Sequence, residues 1–194
     1  MIYIMSHPNS NFCVGCIDKR FDYLLTTYLN SIVDRNDYYL GTTTGSSLCL
    51  GYKKYCKDMC NRCDSKNGKC NPYDTDMILL KKSLLKNMDI SQNLADIKSI
   101  YLIDHQDCGG IKTYLKCSGY PQILGENNKK DIEVNTQLLI IAKKYLNCKY
   151  PELKIRLGLI DINGTVADFI DKKWSIVYIG NGTNSKGLWW NYQQ

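Results

Sequence analysis

The chain reads as an α/β protein with a mostly parallel central sheet flanked by helices and an antiparallel strand at its C-terminal edge. Three observations predict this. Short apolar runs of strand length alternate with segments whose apolar residues recur at helical spacing. The strand candidates are apolar almost throughout, as strands covered on both faces are. Near the C-terminus, Asn163-Gly164 separates two strand-like runs, and this turn pair sends the following strand back against its predecessor.

The elements follow in order. Phe12 to Ile17 is a short buried strand closed by the charged Asp18-Lys-Arg20. Phe21, Leu24, Leu25, Tyr28, Leu29, Ile32 and Val33 then mark an amphipathic helix. Tyr38 to Gly41 is a second strand, followed by a loop rich in Gly, Thr and Ser that ends at Ser47. Residues 49–72 read as a polar, cysteine-rich insertion. Met77, Leu80, Leu84 and Leu85 predict a helix, Ile97 to Asp104 a buried strand, and Gly109-Gly110 the start of a short helix. Ile132 to Leu146 is a long helix, and Leu153 to Ile162 is strand-like. Thr165 to Ile170 is the antiparallel return, and Trp174 to Ile179 an edge strand.

A length of 194 residues suffices for one domain with a buried core and is short for two, so residues 1–194 are expected to form a single domain carrying the 49–72 insertion. Hydrophobic residues at 44% and charged ones at 23% exclude wholesale disorder. No run approaches the roughly 18 apolar residues of a membrane span. The N-terminal Met1 to Pro8 has neither a basic start nor a long apolar stretch, which predicts a cytoplasmic or other intracellular protein with no membrane partner. The net charge of +6 comes from scattered lysines, a solvated surface rather than a nucleic-acid footprint.

Ten cysteines but only two histidines, His7 and His105, narrow the chemistry. In a chain not destined for export, cysteines more often bind metal or react than form a disulfide framework. Two strand ends carry the relevant residues: Cys16-Ile-Asp18-Lys-Arg20 after the first, and His105-Gln-Asp-Cys108-Gly-Gly after the third. Cys16, His105 and Cys108 make a Cys₂His donor set, which in catalytic zinc sites leaves a fourth position open. His105 and Cys108 lie three apart at a strand-to-helix turn, and Cys16 would close a neighbouring strand of a parallel sheet. A buried cysteine taken alone is a small hydrophobe. The two fragments together, each closing a buried strand, are what mark a site. Asp18 and Arg20 would share one side of an extended turn, so that a guanidinium holds a carboxylate beside the metal.

These fragments resemble the zinc motifs of the β-class carbonic anhydrases, Cys-x-Asp-x-Arg and His-x-x-Cys, with Gly109 matching the glycine that follows. The resemblance is clearest from Leu94 to Gly110 and extends through the long helix and the Leu157 to Val166 hairpin. It implies one catalytic zinc held by Cys16, His105 and Cys108, with Asp18 and Arg20 as the catalytic dyad. The implied reaction is reversible hydration of CO₂ to bicarbonate by zinc-bound hydroxide. Zinc lowers the pKa of bound water from roughly 16 towards roughly 7. Asp18 would accept a hydrogen bond from the hydroxide, and Arg20 would keep Asp18 ionised and off the metal. The resemblance also implies a homodimer or higher homo-oligomer. It departs from the family at one place: where many members carry Arg-Asn-Ala-Gly after the second strand, this chain has Leu40-Gly-Thr-Thr-Thr-Gly45-Ser-Ser. The substrate surroundings therefore differ, and the same scaffold also supports hydrolysis of carbonyl sulfide. An alternative of another class is a non-catalytic, zinc-stabilised structural or interaction protein whose insertion binds a partner. The intact Asp18–Arg20 pair favours the enzyme.

Cys56, Cys60, Cys63 and Cys70 form a candidate second metal site, a structural Cys₄ zinc that would order a stretch unable to build its own core. Free thiols and disulfides are the alternatives, and Cys49 could replace one of the four. Cys13-x₂-Cys16 has the spacing of a redox pair. If Cys16 binds metal, Cys13 points to the other side or is a spectator in the core. The 41–47 loop could be an anion nest, but with no lysine following it is not a P-loop, and it reads first as a plain turn.

Overall fold

Apolar side chains on both faces make the first strand central. β1 (Asn11–Cys16) lies between β2 (Tyr38–Thr43) and β3 (Ser99–His105) and runs parallel to both. β4 (Lys154–Ile160) extends the parallel set beside β3, and β5 (Val166–Ile170) and β6 (Lys173–Tyr178) return antiparallel. The six strands form one sheet in the order β2-β1-β3-β4-β5-β6. The structure is a computed structural model and describes residues 10–33, 37–52, 74–115 and 128–178. Cys56, Cys60, Cys63 and Cys70, and with them nearly all of the expected insertion, lie outside the described residues.

Helices α1 (Lys19–Ile32), α2 (Asp74–Ala95), α3 (Gly109–Tyr114) and α4 (Asn128–Lys149) connect the strands. On one face of the sheet Phe12, Val14, Leu102 and Leu157 pack with Met77 and Met88 of α2 and Leu138 and Leu146 of α4. On the other, Cys13, Tyr101 and Ile103 pack with Phe21, Leu25 and Leu29 of α1. Side chains alternate along β1, so Cys13 does face away from Cys16. The split of helices follows from strand order. The chain steps from β1 outward to β2, then back across to β3, and right-handed crossovers in opposite directions place their helices on opposite faces. The direction reverses between β1 and β3. In an open α/β sheet, that reversal leaves a crevice beyond the carboxyl ends of the two strands.

The structure differs from the sequence reading in several boundaries. The stretch expected to be polar from residue 49 begins as core instead: Leu48, Cys49, Leu50 and Tyr52 are buried in a helical segment over residues 48–52. Their apolar character, with Tyr52 four residues after Leu48, suits a helix packed on the sheet. α2 runs a further ten residues past Leu85, because Met88, Ser91 and Ala95 keep the buried face going. β4 stops at Ile160 rather than 162. There the Asp161 carboxylate accepts the N–H groups of Asn163 and Thr165, each at 2.8 Å, and the chain reverses through Gly164 at φ +83°. No helix among the described residues is long and apolar enough to cross a membrane.

Candidate metal centre

Three strand or helix ends converge at the crevice. Cys16 is the last residue of β1, and His105 the last of β3. Cys108 is the N-cap of α3, extended at φ −70°, and its side chain is buried. One ligand atom from each of Cys16, His105 and Cys108 lies within 4.8 Å of the others, a group that could hold a metal ion. Each of the three residues singled out in the sequence is therefore in the cluster.

The histidine is preset for such a role. Its Nδ1 is 2.7 Å from the Gln106 carbonyl oxygen, so Nδ1 carries the proton and Nε2 is left with its lone pair. Nε2 is buried and has no hydrogen-bond partner. Buried polar atoms are nearly always paired, and a metal ion would satisfy this one. Phe21 stacks on the imidazole with ring centroids 4.0 Å apart and fixes its plane.

The thiols show what the cluster does to charge. The Cys16 and Cys108 sulfurs lie 3.8 Å apart, within reach of an S–H···S bond in which either can donate. That bond comes first among the causes that lower Cys16 from the ordinary thiol range, and the Gly45 N–H adds to it against the cost of burial. The same bond and burial push Cys108 strongly upward. The cluster thus favours ionisation of Cys16, and the ionised thiol is the form that ligates a metal.

Asp18 and Arg20 stand beside the cluster, though not on the extended turn the sequence suggests. Asp18 is the N-cap of α1, where Oδ1 accepts the Arg20 N–H at 3.1 Å. The Arg20 side chain wraps back onto the same carboxylate, with Nε on Oδ1 at 3.0 Å and Nη2 on Oδ2 at 2.7 Å. These bonds hold the Asp18 carboxyl down at about 2.

Residues that the sequence reading passed over complete the site. Asp107 sits in the β3–α3 turn at φ +58° and takes the other arm of Arg20, Nη1 to Oδ2 at 2.8 Å. Lys112 also bonds to Asp107. Burial opposes ionisation, but the two cations together hold the Asp107 carboxyl below its usual range. The Asp107 N–H is received by Asp131 of α4 at 2.8 Å. Gln106 ties the turn to the end of β4: its N–H reaches the Ile160 carbonyl at 2.9 Å and its Oε1 accepts from the Ile162 N–H. Asp104, buried in β3, holds the 44–47 turn through Ser47. A left-handed, non-glycine residue beside a ligand is one signal a sequence cannot show, because φ follows from the finished turn.

Two cavities, of about 310 and 360 Å³, lie elsewhere: one beside Lys154 and Arg156 of β4, the other beside Asn11 and Asp37. Both are at the amino ends of the parallel strands, opposite the cluster.

No family model matches the chain. It is 26% identical over 167 residues to an uncharacterized protein of Rickettsia bellii, covering 84% of this chain and 83% of that protein. An uncharacterized protein of Rickettsia conorii is 28% identical over 85 residues, 44% of this chain and 43% of that one. Among solved structures, the chain is similar to a tetrameric β-carbonic anhydrase from Sordaria macrospora at 12% identity and a TM-score of 0.49, over 84% of this chain and 81% of that one. It is likewise similar to the β-carbonic anhydrase CcaA, at 15% identity and a TM-score of 0.48 over 89% and 85% of the two chains. The β-carbonic anhydrase CafA of Aspergillus fumigatus gives 12% identity and a TM-score of 0.49 over 86% and 77%.

Proposed function

We propose that the protein is a zinc-dependent lyase that reversibly hydrates CO₂ to bicarbonate. The observation that carries this is the convergence of Cys16, His105 and Cys108, with an unpartnered buried Nε2, beside an ion-paired Asp18 and Arg20. The substrate is taken from the resemblance of the two fragments to the β-class motifs.

Cys16, His105 and Cys108 would hold the zinc and leave a fourth tetrahedral position open. There the ion would supply Lewis acidity, bringing the pKa of a coordinated water into the neutral range. The remaining work belongs to the chain. The Gln106 carbonyl keeps His105 in the tautomer that presents Nε2. Asp18, ionised at any physiological pH, offers acceptor oxygens only, so it can orient the O–H of a water approaching CO₂. Arg20 secures Asp18 through bonds to both carboxylate oxygens and is itself anchored by Asp107. A homo-oligomer is part of this proposal. Ile17, next to Cys16, and Ile162, bonded through its N–H to Gln106, are 61% and 53% exposed, an apolar rim suited to cover by a second copy.

A second reading, a zinc-stabilised protein without catalysis, is favoured by the 44–47 turn. Its Gly45, Ser46 and Ser47 direct their polar groups inward to Cys16, Val14 and Asp104 rather than towards a substrate. Zinc content and CO₂ hydration measured on the same samples separate the two. Cys16→Ser, His105→Ala and Cys108→Ser should each lose both zinc and rate. Full zinc retention by all three would overturn the site, and bound zinc without hydration in the parent protein would establish the non-catalytic reading.

A further inference from the structure

The turn that departs from the carbonic anhydrase pattern is built into the metal centre rather than set beside it. We propose that the 44–47 turn, clamped by the buried Asp104, is a hydrogen-bonding arm for the Cys16 sulfur. Asp104 and Ser47 are then positioning residues that set the charge this ligand donates, given the metal site proposed above.

Asp104 precedes His105 in β3 and is 1% exposed. Both of its oxygens are engaged by one residue: Oδ1 accepts the Ser47 N–H at 2.9 Å, and Oδ2 accepts the Ser47 hydroxyl at 2.5 Å. The neighbouring Ser46 hydroxyl donates to the Val14 carbonyl of β1 at 3.2 Å. The turn is thereby fastened to both strands that carry metal ligands. It is also wedged in place. Gly45 has φ +69°, and a Cβ there would come within 3.0 Å of Leu48 Cβ. From the other side, a Cβ on Gly110 of α3 would meet Thr44 Cγ2 at 2.4 Å and the Gly45 nitrogen at 3.0 Å. Only glycine at both positions lets the turn approach this closely.

The outcome of the clamp is the direction of one amide. The Gly45 N–H points at the Cys16 sulfur, 3.4 Å away. An N–H donor withdraws charge from a thiolate, so it makes the sulfur a weaker donor to a metal and holds it in one orientation. Burying a carboxylate is costly, and a turn that only filled space could be fastened by apolar contacts. Asp104 instead fixes a backbone donor that no side-chain substitution can remove directly.

Cobalt(II) substitution provides the test, because the energy of the sulfur-to-cobalt charge-transfer band reports the charge on the thiolates. Ser47→Ala removes one of the two clamping bonds and Asp104→Asn alters both. Each should shift the band to lower energy, because a thiolate released from its N–H donor carries more charge to give to the metal. Leu29→Ala, a core change on the opposite face of the sheet, should lower stability and leave the band where it is. If Asp104→Asn does not fold, Ser47→Ala carries the test. An unmoved band in a folded variant overturns the clamp while leaving the metal site intact. A parent protein with no such band overturns the metal site and the clamp together.

Discussion

Asp18 caps α1 and is held by Arg20 through side-chain and backbone bonds. In the proposed function the same carboxylate would also orient the water. Asp18→Asn separates these roles, since asparagine is an equally good N-cap but can donate as well as accept. The variant should fold and retain zinc, while its CO₂ hydration falls by ~10²–10⁴-fold, the usual loss for one oriented acid–base contact. Asp107→Asn should do less. Arg20 and Asp107 are both substantially solvent-exposed, so their pairing is worth about 0.2–1 kcal/mol. Stopped-flow assays should then show a loss of about fivefold or less, and a loss as large as that of Asp18→Asn would place Asp107 among the reacting groups instead. Cys16, Asp18, Arg20, His105 and Cys108 were legible because each lies in a short motif closing an apolar strand. Asp104, Asp107 and Asp131 were not. Their meaning comes from partners 57, 87 and 24 positions away, which only the folded sheet brings near.

The elements themselves were read from periodicity, and the errors lie where periodicity is silent. The sequence places a hairpin at Asn163-Gly164, and the antiparallel pairing of β4 with β5 is there. Asp161, however, widens the connection through bonds a two-residue turn would not have. Residues 49–52 read as part of a polar insertion because Cys49 belongs in composition with the cysteines that follow, yet Cys49, Leu50 and Tyr52 are core. Helix ends are also joined by groups too far apart to pair on paper. Asp89 of α2 accepts from both Lys149 at the end of α4, at 2.7 Å, and the Tyr150 hydroxyl, at 2.6 Å. Burial first, then the bond to Asp89, pushes the Tyr150 phenol up to about 12. Because the folded-state value is raised, the associated stability is complete below about pH 10, the ordinary phenol range, and is lost as pH rises through 12. Denaturant titrations should therefore show the stability gap between the parent protein and Tyr150→Phe narrowing from pH 9 to pH 12. A gap constant over that range would show that the hydroxyl does not link α2 to α4 in this way.

At the scale of the whole molecule, strand order decides where chemistry can occur. The reversal between β1 and β3 puts the carboxyl ends of both strands at one crevice, and Cys16, His105 and Cys108 meet there. The α/β class and its antiparallel C-terminal edge were legible because turn chemistry and apolar runs are local. Assembly is not, since nothing local in the chain specifies a second copy, and the exposed Ile17 and Ile162 are what the homo-oligomer proposed above would cover. Light scattering should show a dimer or larger species, and Ile17→Asp should shift it towards monomer. A strict monomer at every concentration would contradict the proposed homo-oligomer. Metal counting tests the cysteine-rich stretch: a total near two zinc ions per chain, falling to one when residues 56–70 are deleted, would establish a second site at Cys56, Cys60, Cys63 and Cys70.

The most direct measurement is stopped-flow CO₂ hydration by the zinc-loaded protein between roughly pH 7 and 9, the range spanning enzyme-tuned and aqueous zinc water, with zinc content determined on the same sample and Asp18→Asn run beside it. Hydration well above the buffer rate, with one catalytic zinc per chain and a steep loss in Asp18→Asn at equal zinc, is the expected result. Bound zinc with no hydration across that range would contradict the enzyme assignment and leave a zinc-stabilised, non-catalytic protein.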